Sequence, residues 1–332
     1  MNHTFAIAVC SLNGETRLPA TLDALYQQIS NGTQVIVVDD GSTDSTSQVA
    51  ASFGAQVVRH KSNMGYGKAR QSAIDASNST VLAFIDDECE VSKDWFSTLE
   101  RTWSEHKPGM CVLAGPITFT PIDFLSGYLA RHNPFAPIRG NNGQELRFLN
   151  RMRRSLLSEY DTSSGFILSA GNGNLSFLVE EIQEIGGYNT TLTKGGEDED
   201  LCRRVRQRFG SGSIYFDSNL CVTHNSQESV LGIVRRNFRY GHASGIAWLT
   251  DLGIPTFLPA PTILLLLTLT FWLVFSWKWA LIGLFVTPIL AALISQQTIL
   301  ISRPFFLIDG YLRLVSEISQ NLGFISATFT RK

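Results

Sequence analysis

Charge is scarce in this chain, and over one long stretch it is missing altogether. Asp, Glu, Lys and Arg make up 17% of the 332 residues and apolar residues 44%, a low charged share for a soluble protein. Residues 252–277 carry no charged side chain, and after Lys278 a second uncharged run extends to Ser302. A bilayer-crossing helix needs about 20 apolar residues, and the first run supplies them even without its three prolines. The link around Lys278 is short, so the sequence predicts a transmembrane helical hairpin over 251–302. Trp272, Trp277 and Trp279 then sit near its tip as interfacial aromatics. A pair of buried core helices is the alternative.

Other absences narrow the class. The five cysteines (10, 89, 111, 202 and 221) are scattered, odd in number and lack CxxC spacing. That argues against a disulfide frame or a zinc site and for reduced thiols. No basic–apolar–small pattern opens the chain at MNHTFAIAVC, so export of the front domain is not expected. There are no repeats and no low-complexity tracts. No nucleic-acid partner is expected of a chain with formal net charge −2. A P-loop is also missing: NMGYGKARQ lacks GxxxxGK[ST], and it lacks the third glycine of a dinucleotide fingerprint.

What charge there is divides unevenly. Residues 1–251 hold 22 Lys/Arg against 27 Asp/Glu, whereas 252–332 hold 5 against 2. Arg235, Arg236 and Arg239 precede the uncharged runs, Arg303 follows them, and only Lys278 lies between. The positive-inside rule puts both ends in the cytoplasm. The expected organisation is a cytosolic catalytic domain over 1–230 and a basic amphipathic helix on the anionic inner leaflet over 231–250. The hairpin follows, and then a tail over 303–332 that lies on the membrane or partly enters it.

The first 110 residues alternate strands and helices. FAIAVCS, QVIVVDD, QVVRH and TVLAFIDD read as strands, with helices between them. The order βαβαβαβ implies a parallel sheet with crossover helices, whose ligands bind beyond the carboxyl ends of the strands. SLNGE (11–15), DDGS (39–42) and DDE (86–88) all follow strands directly. Further on, VLAGPITFT reads as a strand, 131–165 as a long loop or lid, and IYFDSNLCVTHN as strand-like. GGEDEDLCRR begins a helix at about Asp198.

Several clusters have the residue types for chemistry. Asp86, Asp87 and Glu88 end an apolar strand, and carboxylates at i and i+2 there can share a hard divalent cation. An acidic turn in water has the same sequence. Gly65, Gly67, Lys68 and Arg70 open a basic helix whose amides could face phosphate, or they form solvated surface. Glu197 to Asp200 are four acids at a helix start, which suits the dipole but exceeds what capping needs. One of them could serve as a general base. His224, after a strand, is a candidate third metal ligand, although a lone histidine is more often structural.

Together, and in this order, SLNGE, VIVVDDGSTDST, NMGYGKARQSAI, FIDDECEVSKDWF, GNGNLSF and GGYNTTLTKGGEDEDLCRRV resemble the inverting family 2 glycosyltransferases. The resemblance covers about residues 4–243. It implies a GT-A-type, Rossmann-like nucleotide-binding α/β mixed sheet flanked by helices, and transfer of a sugar from a nucleotide-sugar donor, a UDP-sugar above all. Asp39 and Asp40 are then expected to hold base and ribose, with Ser11, Asn13 and Glu15, while Lys68, Arg70 and Asp87 join the donor site. Asp86 and Glu88 match the outer positions of the Asp-x-Asp motif for Mg²⁺ or Mn²⁺, with Glu in place of the usual Asp, and His224 approaches the metal or diphosphate. Asp198 matches the general base, Glu197 is its runner-up, and Asn174 falls on the acceptor side. Arg236 and Arg239 stand near where processive synthases carry Gln-x-x-Arg-Trp. Arg replaces that Gln and Tyr the Trp, which argues against a processive polymerase but leaves a diphosphate contact open.

The acceptor is expected to be a hydroxyl, lipid-linked or saccharide, at the bilayer. A polyprenyl-phosphate sugar synthase is the near alternative, a nucleotidyltransferase is disfavoured by SLNGETR, and an inactive transferase-like membrane scaffold is the non-enzymatic reading.

Overall fold

The computed structural model describes residues 3–105, 107–131, 133–137, 162–225, 229–251 and 306–329. The chain divides into two compact units, Met1–Glu145 with Asp161–Gln227, and Leu146–Tyr160 with Glu228–Lys332. The hairpin expected over 251–302 lies outside the described residues from 252 onward, as does most of the loop expected over 131–165. Among the described residues no helix is long and apolar enough to cross a membrane.

The first unit is built on apolar strands buried on both faces. Along β1 (Phe5–Ser11), β2 (Gln34–Asp39) and β4 (Val81–Asp86), successive side chains point to opposite sides of the sheet. Ala8, Val38 and Phe84 enter one core, while Val9, Val37 and Ile85 enter the other. Strands clad on both sides need no polar alternation, which explains the uninterrupted VIVV.

With β3 (Gln56–Arg59) these strands pair in parallel in the order β3-β2-β1-β4. Helices α1 (Leu18–Tyr26), α2 (Thr46–Ser52) and α3 (Tyr66–Ala76) make the crossovers. Beyond β4 the sheet becomes mixed. β9 (Asn174–Leu178) runs antiparallel to β4 with Asn174 opposite Ile85. Then come β6 (Val112–Ala114), β10 (Ile214–Phe216) and β8 (Gly165–Phe166), making eight strands. Because β9 is reversed, its first residue lies at the same sheet edge as the last residues of β1, β2 and β4.

Two stretches that read as single strands are each broken in two. VLAGPITFT divides into β6 and β7 (Ile117–Phe119), and IYFDSNLCVTHN into β10 and β11 (Val222–His224). Their second halves form a separate sheet, β5-β11-β7, with β5 (Cys89–Val91). Gly115 and Pro116 mark the first break. Proline cannot donate to a ladder, and a Cβ on Gly115 would lie 1.9 Å from the Leu220 carbonyl oxygen. Helix α4 (Trp95–Ser104) closes this side with Trp95, Phe96, Leu99 and Trp103 buried.

Asn174, expected on the acceptor side, ties the junction together. It is 1% exposed. Its side-chain oxygen accepts from Trp95 Nε1 at 3.0 Å, and its Nδ2 donates to the carbonyls of Leu220 at 2.5 Å and Pro116 at 3.2 Å. Both amide donors and one acceptor position are thus used inside the fold. Asn174→Ala should therefore lower the unfolding free energy in urea by about 1–3 kcal/mol, the cost of leaving buried groups unpaired. Folded Asn174→Ala protein should keep its affinity for acceptor.

The remaining helices of this unit are α5 (Phe124–Arg131), α6 (Val179–Glu184) and α7 (Glu197–Phe209). The second unit contributes α8 (Val230–Asp251) and, in the tail, α9 (Phe306–Phe329). The two helices pack with almost no gap. A Cβ on Gly241 would lie 1.7 Å from the Gln320 carbonyl oxygen, and one on Gly323 would lie 1.9 Å from that of Phe238. Ser319 Oγ donates to the Val234 carbonyl at 2.7 Å across the same seam.

Candidate active site

The loops after β1 and β2 are knitted together by side chains that the sequence marks as donor ligands. Asn13 adopts a left-handed φ of 52°, where asparagine is among the better tolerated residues. Its backbone N–H donates to Ser42 Oγ at 2.9 Å, and its side-chain oxygen accepts from the Thr43 N–H at 2.9 Å. Glu15 accepts from the Ser45 N–H at 2.8 Å. These bonds hold the two loops against each other.

Asp39 and Asp40, expected at base and ribose, bond the loops that follow their strand. Asp39 is fully buried; it accepts from the Ser42 N–H at 2.7 Å and pairs with Ser47, with Arg59 at 3.7 Å. Burial pushes its carboxyl up, but the Ser42 and Ser47 hydrogen bonds and Arg59 outweigh that and leave it below the usual carboxylate range. Asp40 accepts from the backbone N–H groups of Met64 and Gly65, both at 2.9 Å, and meets His60 Nδ1 at 2.6 Å. His60 Nε2 lies 2.9 Å from Ser72 Oγ. The Asp40–His60–Ser72 relay anchors the glycine turn at Gly65, which starts α3 with φ 88°.

After β4 the three acids separate. Asp87 is buried; it accepts from Ser11 Oγ at 2.5 Å and from Arg17 at 2.9 Å. Burial raises its carboxyl pKa against the pull of Ser11 and Arg17. Arg17, not singled out in the sequence, is thus the cation for this acid. Asp86 remains about a third exposed, and its Oδ1 meets Arg70 Nη2 at 3.3 Å. Gly173 leaves it room, since a Cβ there would lie 2.6 Å from Asp86 Oδ2.

Arg70 joins the two halves of the site. Expected near the base or diphosphate, it is buried, with Nη1 donating to Glu197 at 2.8 Å and Nη2 to Asp86. Burial works against its charge, but Glu197 and Asp86 more than restore it, so the guanidinium stays cationic beyond its ordinary range. Lys68 lies half-buried two residues earlier on α3.

Glu197 opens α7 one residue earlier than expected, after Gly196 with φ 87°. Asn172 donates to it at 3.4 Å, and Tyr188 in turn donates to Asn172 at 2.6 Å. Its second oxygen is buried without a hydrogen-bond partner. Burial pushes its carboxyl up to about 7, against Arg70 and helped by neighbouring Asp198. The folded state therefore binds more protons than the unfolded chain between the ordinary glutamate value and about 7. Unfolding free energy should fall as pH rises through that window, and Glu197→Gln should flatten the slope in urea titrations from pH 4.5 to 7.

Asp198 is half-buried beside Gly171, and its Oδ1 accepts from the Glu199 N–H at 2.8 Å. Burial raises its pKa despite Arg70, making it a stronger base than an exposed aspartate.

The expected metal ligands are only partly assembled. Register pairs His224 with Cys89, and His224 Nε2 lies 3.2 Å from Glu88 Oε1. Its Nδ1 is buried without a hydrogen-bond partner, and its ring stacks on Phe135 with centroids 5.4 Å apart. Among the described residues no three His, Cys, Asp or Glu side chains converge as a ready metal site, because Asp86 is turned to Arg70. The donor set of two partly exposed carboxylates beside an orphaned imidazole nitrogen nevertheless fits a divalent ion. Arg236 and Arg239 belong to α8 in the second unit.

The family model described as "Glycosyl transferase family 2" matches residues 6–161. A Haemophilus influenzae protein described as an uncharacterized glycosyltransferase is 34% identical over 229 residues, 68% of this chain and 70% of the relative. The chain belongs to glycosyl transferase family 2. Within this family it is also similar to the glucosyl-dolichyl phosphate glucuronosyltransferase of Haloferax volcanii, 23% identical over 63% of this chain. The match spans less than two thirds of the length of that relative and of two other curated ones, at 66%, 29% and 64%. The mannosyltransferase PcManGT from Pyrobaculum calidifontis, solved with GDP-Man and Mn²⁺, aligns with TM-score 0.60 at 14% identity. The alignment covers 100% of this chain and 89% of that one. At that identity the likeness shows the fold alone, a GT-A-like α/β mixed sheet flanked by helices.

Proposed function

We propose that this family 2 member is an inverting glycosyltransferase that moves a sugar from a nucleotide-sugar donor to a hydroxyl acceptor. The observation that carries the reading is the Asp86–Arg70–Glu197–Asp198 cluster, which joins the ends of β4 and α7 beside the loops of β1 and β2. Asp198, its pKa raised by burial, takes the proton from the acceptor hydroxyl as the oxygen attacks the anomeric carbon. The bond to the diphosphate oxygen breaks on the opposite face. Arg70 and Glu197 hold Asp86 and the start of α7 in register, while the Asn13, Glu15, Asp39 and Asp40 contacts keep the nucleoside rim in shape. Asp86 and Glu88, with His224, would hold Mg²⁺ or Mn²⁺, which when bound supplies charge neutralisation for the departing nucleoside diphosphate.

A lipid-linked or saccharide acceptor at the cytoplasmic membrane face is the companion proposal. It is supported by the charge distribution around 235–303 and by the dolichyl phosphate substrate in the name of the Haloferax volcanii relative. A polyprenyl-phosphate acceptor needs no base, so a half-buried aspartate of raised pKa favours a hydroxyl. Thermal shift with a panel of nucleotide sugars tests the donor. A UDP-sugar should raise the melting temperature more with Mn²⁺ than without, and a flat response to the whole panel would sink the donor assignment.

A further inference from the structure

Gly171 is a glycine that neither its backbone nor its packing requires. Its φ lies outside the left-handed region. A Cβ built on it would lie 3.6 Å from Phe135 Cδ1 and 3.8 Å from Asp198 Oδ2, both ordinary van der Waals distances. Among the described residues it would meet nothing else within 4 Å beyond its chain neighbours. Gly173 is different, since a Cβ there would lie 2.6 Å from Asp86 Oδ2 and does not fit. A glycine that the fold itself does not demand marks a place where a ligand comes close to the backbone. Here that place is shared by the proposed base and an aromatic ring.

The ring is fixed in position. The Phe135 N–H donates to Asn133 Oδ1 at 2.9 Å, and Asn133 Nδ2 donates to the Ile117 carbonyl on β7 at 2.6 Å. Phe135 stacks on Phe119, with centroids 5.8 Å apart and planes at 11°, and on His224. Phe119 and His224 are buried, whereas Phe135, Gly171 and Asp198 each keep part of their surface in solvent. A held, half-exposed ring beside a carboxylate suits a molecule with one apolar face and a rim of hydroxyls.

We propose that Phe135 and Gly171 form the acceptor seat and that its occupant is a pyranose ring. One face of a pyranose presents C–H bonds whose hydrogens are weakly positive, and the face of an aromatic ring is negative. A hydroxyl at the edge of the sugar then reaches Asp198, which takes its proton. An alcohol on an alkyl chain offers the same hydroxyl but has no face to lay on Phe135. A phosphate acceptor would set a second negative charge against Asp198, which disfavours it. The inference rests on Asp198 as the base, and it adds the class of acceptor and two residues that touch it.

Saturation-transfer NMR on the full-length protein with UDP and Mg²⁺ tests it. Aromatic protons would be irradiated in the presence of methyl glucoside, galactoside, mannoside or N-acetylglucosaminide. At least one pyranoside should receive saturation, strongest at the C–H protons of one face. Phe135→Leu should cut that signal severalfold, and Phe135→Trp should keep it. Gly171→Ala should weaken pyranoside binding severalfold without lowering the melting temperature, since alanine is compatible with this backbone. Octyl pyranosides that bind more tightly than methyl ones identify a lipid-linked sugar as the source, and equal binding a free saccharide; the ring contact is required in both. Saturation of octanol in place of the pyranosides overturns the proposal. So does a pyranoside signal that survives Phe135→Leu, or no signal from any pyranoside. If UDP-sugars still shift the melting temperature in those cases, the seat alone is wrong and the transferase assignment stands. A flat response to every donor withdraws both.

Discussion

Asp198→Asn should slow sugar transfer by about 10²–10⁴-fold, the usual contribution of a positioned general base, while nucleotide-sugar affinity stays within error of the parent. Asparagine keeps the size of the side chain and can still accept from the Glu199 N–H, the contact that fixes Asp198 at 2.8 Å. Only proton acceptance is lost. The parent rate should rise with pH on an acidic limb displaced above that of an ordinary aspartate, because burial raises this carboxyl. The variant should lack that limb. Near-normal turnover in Asp198→Asn would move the base to Glu197, whose buried second oxygen has no hydrogen-bond partner.

The second large effect concerns stability. Arg70→Met preserves bulk but removes the charge that Glu197 faces, and both side chains of that pair are only 6–7% exposed. Breaking one side of a buried pair costs about 3–5 kcal/mol when the partner stays charged. Glu197, pushed up to about 7, can take a proton instead, so urea denaturation should report a smaller loss at neutral pH that grows as pH rises. The double variant Arg70→Met/Glu197→Gln should recover much of it, since the glutamine leaves no buried charge behind. If the double variant is as unstable as the single one, the cost lies in packing around Arg70, such as its approach to the rings of Tyr66 and Phe84.

Much of the catalytic edge was legible because it is local. A strand that stays apolar for four residues and then turns acidic announces both its burial and its end, and three such ends in βαβ order must meet at one edge. The reversal of β9 is not written in its residues; it follows from pairing with β4 and β6, partners distant in sequence. The breaks in VLAGPITFT and IYFDSNLCVTHN had one signal, Gly115–Pro116, but the reason for them is the carbonyl of Leu220, far along the chain.

Arg70 could be read as a phosphate contact because its helix start is basic. Its burial depends on Glu197, 127 positions away. Asn174, His60 and Arg17 tell the same story. Each has a side chain that can serve ligand or fold, and only the partner decides. In Asp39 and Asp40, residue type pointed to a ligand while the hydrogen bonds run to the loops that frame it.

The most direct test of a single-displacement transferase is the anomer it first releases. An α-linked nucleotide sugar would be incubated with the protein and Mn²⁺ in deuterated buffer, without acceptor, and the anomeric proton of the freed sugar followed by NMR before mutarotation. With water taking the acceptor's place at Asp198, the β anomer should appear first. Early α anomer would contradict inversion.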